Sequence, residues 1–265
     1  MKTKYGLIVA AIAILGACSK QESPQQASTP APASAPVAGP ATAPAAPAVA
    51  IAAAPAPDNT SLANYEAVDG TDAMWLTYVS VTHTTSQPAQ DELLNLFSAK
   101  YYNEHDTFKK HDLIETEWSP IQSNLKHYAA QNYYAVPFGG STNLNSPEAL
   151  MLLTNAQPYD FGSKSFPIGS FANASFGNRQ NVFLTMNEDT SRFGQIKVED
   201  EALARQVEQL RTSGMLSLRG FLYIRVDNVQ NGNQVHVTLQ HMHVNVYDKP
   251  AYLQGGGKLV ASYDI

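Results

Sequence analysis

Ser217-Leu218-Arg219-Gly220-Phe221-Leu222-Tyr223-Ile224-Arg225-Val226, with the Asn231-Gly232 pair and the run Val235 to Val246 behind it, decides the fold. Leu216, Leu218, Leu222, Ile224 and Val226 alternate with Ser217, Arg219, Phe221, Tyr223 and Arg225. Side chains of a strand alternate between its two faces, so this is a half-buried strand. Asn231-Gly232 is a dipeptide that two-residue hairpin turns favour, because both central positions need positive φ. Counting outward from it pairs Val226 with Val237 and Ile224 with Leu239, apolar on apolar. Unchanged, that register would set His241 against Leu222 and put an imidazole on the core face. One extra residue at Gln240-His241, a β-bulge opposite Tyr223, restores the match. Leu222 then faces Met242, Gly220 faces Val244 and Leu218 faces Val246. Lys258 to Tyr263 is expected to add one more strand.

Upstream, Val198 to Thr212 reads as the strongest helix, with Leu203, Val207 and Leu210 on one stripe. Glu199, Asp200 and Glu201 crowd its start and Gly214 ends it. Helices are also expected across 88–130. Pro88 suits a first helical position, and Asp91 and Glu92 suit a first turn. Leu93, Leu94, Phe97 and Tyr101 share a face. Ser119-Pro120 reads as the start of another helix, with Ile121, Leu125 and Tyr128 at helical spacing. The segment between, with Phe108, Ile114 and Trp118, reads as helical with a wide polar face. Trp75 to Val81 fits a strand or a helix, because its periodicity does not decide. After Ala130, Gly, Asn, Pro and Ser punctuate short apolar runs such as Leu150 to Leu153 and Val182 to Leu184, the pattern of loops and strands. The expected fold is α+β: an N-terminal helical segment, then an antiparallel sheet with a closing β-hairpin and one crossing helix.

The start of the chain carries a different signal. Lys2 and Lys4 precede the apolar run Leu7 to Leu15, whose nine residues cover only ~14 Å as a helix. A hydrocarbon core of ~30 Å is beyond its reach, so it fits a cleaved secretory signal. Leu15-Gly16-Ala17-Cys18 follows, and Cys18 is the chain's single cysteine. This stretch resembles the lipobox of bacterial lipoproteins. The resemblance implies removal of residues 1–17 and a Cys18 that carries a diacylglyceryl thioether and an acylated amine, palmitate being one such acyl group. More than one acyl chain anchors stably where a single one does not. Ser19 stands where inner-membrane members carry aspartate, which implies the outer membrane, with the rest of the chain facing the periplasm.

Losing residues 1–17 takes Lys+Arg from 17 to 15 against 23 acids, and the net charge from −6 to −8. A phosphate backbone needs a basic face, so nucleic acid is not an expected partner. With Cys18 acylated no thiol remains for a disulfide, thiol catalysis or a thiolate metal site. Residues 18–57 read as the lipidated cysteine and a disordered linker. From Ser23 to Pro57 there is no charge and no aromatic, and nine of the 16 prolines lie there among alanines. Such a segment cannot bury enough surface to fold. It reads as a solubilising spacer ahead of its sharper alternative, a stalk reaching toward the cell wall or a partner. Aromatics and charges return at Asp58, so residues 58–265 are expected to form one globular α+β domain.

Candidate chemistry is sparse. Residues 155–180 form a long polar, glycine-rich connection around Tyr159-Asp160-Phe161 and Phe166-Pro167. Loops of that length often carry function, which makes Tyr159, Asp160, Phe161 and Phe166 the candidate binding residues. The bulge puts His241 and His243 on the outer face near Tyr223, Phe221 and Arg219. His-x-His on a strand gives two imidazoles on one side, a weak candidate metal pair whose third ligand would be His236 or Asp227. Arg219 nearby opposes a cation, and no metal or cofactor is expected. Ser123-Asn124-Leu125-Lys126 matches Ser-x-x-Lys, but the Ser-x-Asn and Lys-Thr-Gly elements that go with it are missing. Leu125 is better explained as a core position. His105, Asp106, His111, Asp112, Glu115 and Glu117 read as a solvated helical face. In its Tyr-Asp-Phe block and terminal hairpin the folded part resembles domains of unknown function carried by other bacterial lipoproteins, a likeness that implies no activity. The expectation is a lipid-anchored, non-enzymatic envelope module that binds a protein or cell-wall component. The alternative is a periplasmic hydrolase or metal-dependent enzyme using the 219–243 sheet face.

Overall fold

The computed structural model describes residues 60–68, 73–139, 156–169, 175–187 and 190–265. The apolar run Leu150 to Leu153, Cys18 and the linker lie outside the described residues. In chain order the elements are β1 (Glu66–Ala67), α1 (Met74–Thr82), α2 (Gln90–Phe97), α3 (Ala99–Asn103), α4 (Thr107–Ala129), β2 (Tyr133–Phe138) and β3 (Ser165–Pro167). Then come β4 (Ser175–Gly177), β5 (Phe183–Met186), β6 (Gln195–Lys197), α5 (Glu201–Thr212), β7 (Ser217–Gln230), β8 (Gln234–Tyr247) and β9 (Leu259–Asp264). The backbone divides into Met1–Ile51 and Ala52–Ile265, and all of these elements belong to the second unit. Among the described residues no helix is long and apolar enough to cross a membrane.

The fold is α+β, with the hairpin β7–β8 at the middle of a seven-stranded sheet ordered β1-β2-β7-β8-β5-β4. The first half of β8 pairs with β5 and the second half with β9. The sheet is mixed rather than wholly antiparallel. β1 runs parallel to β2, and β5 parallel to β8. Both parallel pairs join segments far apart in the chain, so no local turn signal announces them. β3 and β6 form a separate two-stranded sheet.

The hairpin register follows the apolar pattern. Val226 pairs with Val237, Ile224 with Leu239, Leu222 with Met242, Gly220 with Val244 and Leu218 with Val246. The ladder slips between Tyr223 and Ile224, which leaves Gln240 as the extra residue. A second slip leaves Asp227 unpaired, because the ladder closes on Gln230 and Gln234 and gives a turn one residue longer than the dipeptide alone. Asn231 and Gly232 still take φ of 53° and 70°, as that dipeptide is suited to do. The bulged Asp227 is held by Arg225, Asn187 and Thr238.

Behind the sheet lies the main core, where Leu222, Ile224, Val235, Val237, Met242 and Val244 meet Trp75, Leu76 and Val79 of α1 and Ala204 and Val207 of α5. A second cluster joins Tyr78, Leu94, Tyr101 and Ile121 of α1 to α4. Residues 75–81 of α1 are buried all round, which explains why their sequence shows no face. Buried Asn178 fixes the α1 start: its amide donates to the Ala73 carbonyl and the Thr77 hydroxyl, and its oxygen accepts from the N–H groups of Gln180 and Val182.

Three helix boundaries differ from the sequence reading. α2 begins at Gln90, with Glu92 accepting the Ala89 N–H, so Pro88 precedes the helix. Ser98 ends α2 and caps α3 through its hydroxyl. Pro120 starts nothing: it lies inside the 23-residue α4, which Asp106 caps by accepting from the N–H groups of Phe108 and Lys109. Pro120 and Thr116 are both exposed, so the carbonyl that loses its helical partner at Pro120 is turned to water. At α5 the cap is Asp200, which accepts from the N–H groups of Ala202 and Leu203.

Candidate functional site

Two places on the described surface gather the residues that the sequence singles out. The first is a hollow of about 300 Å³ lined by Tyr159, Phe161, Glu201, Ala204, Arg205 and Glu208. One wall is the tip of the 155–180 connection and the other is a stripe of α5 in which Glu201 and Arg205 are exposed and Ala204 is buried. Tyr159 is fixed by its hydroxyl, which donates to the Val198 carbonyl at 2.8 Å, and by ring contacts with Phe161 and Phe166. Phe161 stands out at 80% exposure. On α5, the Glu201 carboxylate pairs with Arg205 and Glu208 with Arg211, so both acids of the wall are balanced by their own helix. Arg211 holds the Glu208 carboxyl below the usual range. The hollow is therefore apolar in character with little net charge.

The four candidate binding residues divide between two roles. Tyr159 and Phe161 face the hollow. Asp160 builds the turn that presents them: its carboxylate accepts from the Ser163 hydroxyl at 2.7 Å and the Gly162 N–H at 2.8 Å. Those two bonds, Ser163 first, hold its carboxyl below the ordinary range. Phe166 is 1% exposed and belongs to the main core, where Tyr159 rests on it. Asp160 and Phe166 thus position the contact surface rather than form it. Glu201 reads from the sequence as a first-turn acid of the helix, and Ala204, Arg205 and Glu208 carry no signal as contact residues. Their i, i+3, i+4 and i+7 spacing was legible as a second stripe of α5, but what faces it was not.

The second place is the outer sheet face. The bulge at Gln240 leaves His241 and His243 there, as alternation requires. Tyr223 lies 5.3 Å from the His241 ring and meets Tyr65 edge-on, and Tyr65 meets Tyr133. Both imidazoles converge on Asp264 of β9. His243 Nδ1 lies 2.8 Å from Asp264 Oδ1, and His241 Nε2 lies 3.3 Å from the same oxygen. The far nitrogen of His243, Nε2, is 3.2 Å from the Ser262 hydroxyl, which is 2.7 Å from Asn245 Oδ1. Asp227 is committed to Arg225, Asn187 and Thr238, and Arg219 turns to the Tyr247 ring and the Lys249 carbonyl. Among the described residues no three His, Cys, Asp or Glu side chains are arranged to hold a metal ion. Asp264, Ser262 and Asn245 were missed because nothing local fixes how β9 aligns with β8.

Hydrogen bonding from His243, and then from His241, lowers the Asp264 carboxyl below its ordinary value. A carboxyl depressed in the folded state stabilises the fold above the range of a free aspartate, and that contribution fades as pH falls through the folded value. Carboxyl-carbon NMR of Asp264 is expected to give a midpoint below that of a free aspartate. Amide exchange at Ile265, whose N–H donates to the Met242 carbonyl, should quicken over the same acid limb. A midpoint at or above the free value would contradict the paired geometry.

The other sequence candidates resolve into scaffold. Ser123 and Lys126 lie exposed on α4 while Leu125 packs on the second cluster. Glu117 accepts from Ser98 and Lys100, and Asp106 is the α4 cap.

Compared with known proteins, the chain matches no family model, no curated protein and no solved structure.

Proposed function

We propose that this chain is a lipid-anchored envelope protein of the outer membrane whose α+β domain, facing the periplasm, is a binding module. The observation that carries the binding role is the hollow between Tyr159, Phe161 and α5. An exposed phenylalanine costs solvation, and here a turn locked by Asp160 and a tyrosine locked to Val198 hold it in place. Rigid aromatic anchors beside an apolar hollow are what a binding hot spot requires. With its acids already paired, the hollow suits an apolar side chain of an envelope protein or of a cell-wall peptide. The resemblance at Leu15-Gly16-Ala17-Cys18 supports the address, and the linker 18–57 supplies reach.

A photoreactive amino acid in place of Phe161, in cells, tests this. A discrete cross-linked species is expected from position 161 and not from the same probe at Tyr102, an exposed aromatic on α3. Phe161→Asp should weaken capture of that partner about tenfold or more, the range of a hot-spot residue. Identical patterns from positions 161 and 102 would remove the hollow from the account.

A further inference from the structure

The outer sheet face carries a second chemistry that the binding role does not use. Ser262, His243 and Asp264 stand in the order nucleophile, base, orienter. We propose that this array is an acyl-transfer site that cleaves carboxylic esters, with Ser262 as nucleophile and His243 as general base.

The assignment rests on which nitrogen meets which partner. An ionised carboxylate can only accept, so the bond from His243 Nδ1 to Asp264 fixes the hydrogen on Nδ1. Nε2 is then left with its lone pair toward the Ser262 hydroxyl, 3.2 Å away. With the Ser262 hydrogen turned to Nε2, that is the arrangement by which an imidazole takes a serine proton while a carboxylate steadies the ring. Asn245 sets the hydroxyl's direction. With its carbonyl toward Ser262 it accepts the hydroxyl's hydrogen bond, and the hydroxyl hydrogen then points away from His243. With the isosteric carboxamide turned over, its NH₂ donates to Ser262 Oγ and the proton points to His243. Strand geometry explains the convergence. Asp264 pairs with His243 and Ser262 with Asn245 across β8 and β9, so all four side chains share one face.

The edge position of β9 supplies a donor for the developing charge. Met242 and Ile265 exchange both backbone hydrogen bonds, which sets the phase of the ladder. Alternation then turns the N–H groups of Ser262 and Asp264 away from β8. In the reaction Ser262 Oγ bonds to the acyl carbon as its proton passes to His243 Nε2. The bond to the leaving alcohol breaks, and His243 returns that proton to the alcohol oxygen. Water then adds to the acyl carbon by the same route, releasing the acid and restoring Ser262. Ser262 and Asp264 are exposed, so water weakens the electrostatic help that an enclosed site would give. This confines the site to esters rather than amides, and its openness suits an ester displayed on a larger molecule.

The mature chain in detergent, treated with a fluorophosphonate probe and separately with p-nitrophenyl acetate, tests the site. One adduct is expected, on the peptide holding Ser262, with ester turnover above buffer. Ser262→Ala should abolish both, and His243→Ala should slow labelling about 10²-fold or more, the scale of a general base. Asp264→Asn should slow labelling and displace the pH profile of the labelling rate, which a merely structural role would leave in place. Ser123→Ala, on α4, should change nothing. The proposal is overturned if Ser262 is not labelled, if His243→Ala labels at the wild-type rate, or if Ser262→Ala keeps the esterase activity.

Discussion

Gly220→Ala is expected to lower the unfolding free energy by about 3 kcal/mol or more, the upper end of what overpacking a core costs. Gly220 lies where β7 is sandwiched between β2 and β8, paired with Phe138 on one side and Val244 on the other. A Cβ built there would sit 1.8 Å from the His243 carbonyl oxygen and 3.1 Å from the Phe138 ring. The first contact is with backbone of a central strand, so no side chain can swing aside to relieve it. Relief must come from spreading β7 and β8, which breaks the register that buries Leu222, Met242 and Val244. Against a typical stability of about 5–15 kcal/mol, that loss leaves the domain marginal. Urea unfolding of wild type and variant measures it. A difference under about 1 kcal/mol would mean that β8 yields easily and that the hairpin is not the rigid centre of the sheet.

Cys18→Ser is expected to move the protein that has lost residues 1–17 from the membrane pellet to the supernatant after cell breakage. Each buried acyl CH₂ contributes ~0.8 kcal/mol, so two or more chains hold a protein firmly. Among the described residues no helix offers an apolar span to replace them. Without residues 1–17 the 15 Lys+Arg stand against 23 acids, and a net charge of −8 gives no electrostatic hold on anionic headgroups either. Serine keeps the size of the side chain and removes the thiolate that would be alkylated. The variant should retain the domain's unfolding midpoint, because Cys18 precedes β1 in the sequence and belongs to none of the elements from β1 to β9.

The hairpin was legible in residue-level detail because three independent signals agree there. Strict alternation fixed the faces, Asn231-Gly232 fixed the turn, and the one mismatch at His241 demanded a bulge. The exact turn length was not legible, since the bulge at Asp227 cancels it and leaves Val226 opposite Val237 either way. α1 was ambiguous for a physical reason: packed on the sheet and on α2 and α4 at once, it has no polar face to reveal its period. Pro120 misled because exposure lets a helix tolerate a missing N–H that a buried one could not. Tyr159 and Phe161 were legible as a candidate contact from loop length and aromatic content. Their opposite wall on α5 was not, because it depends on how the connection folds back. The same holds for Ser262 and Asp264, whose alternation on β9 points both to one face without saying which strand lies alongside.

That the domain hangs from an acylated sulfur is tested most directly by the mass of the N-terminal peptide released from membrane-extracted protein. The expected peptide begins at Cys18 and is heavier than its unmodified sequence by a diacylglyceryl group and an amide-linked acyl chain. A peptide with an unmodified Cys18 thiol, or one still continuous with residues 1–17, would contradict it.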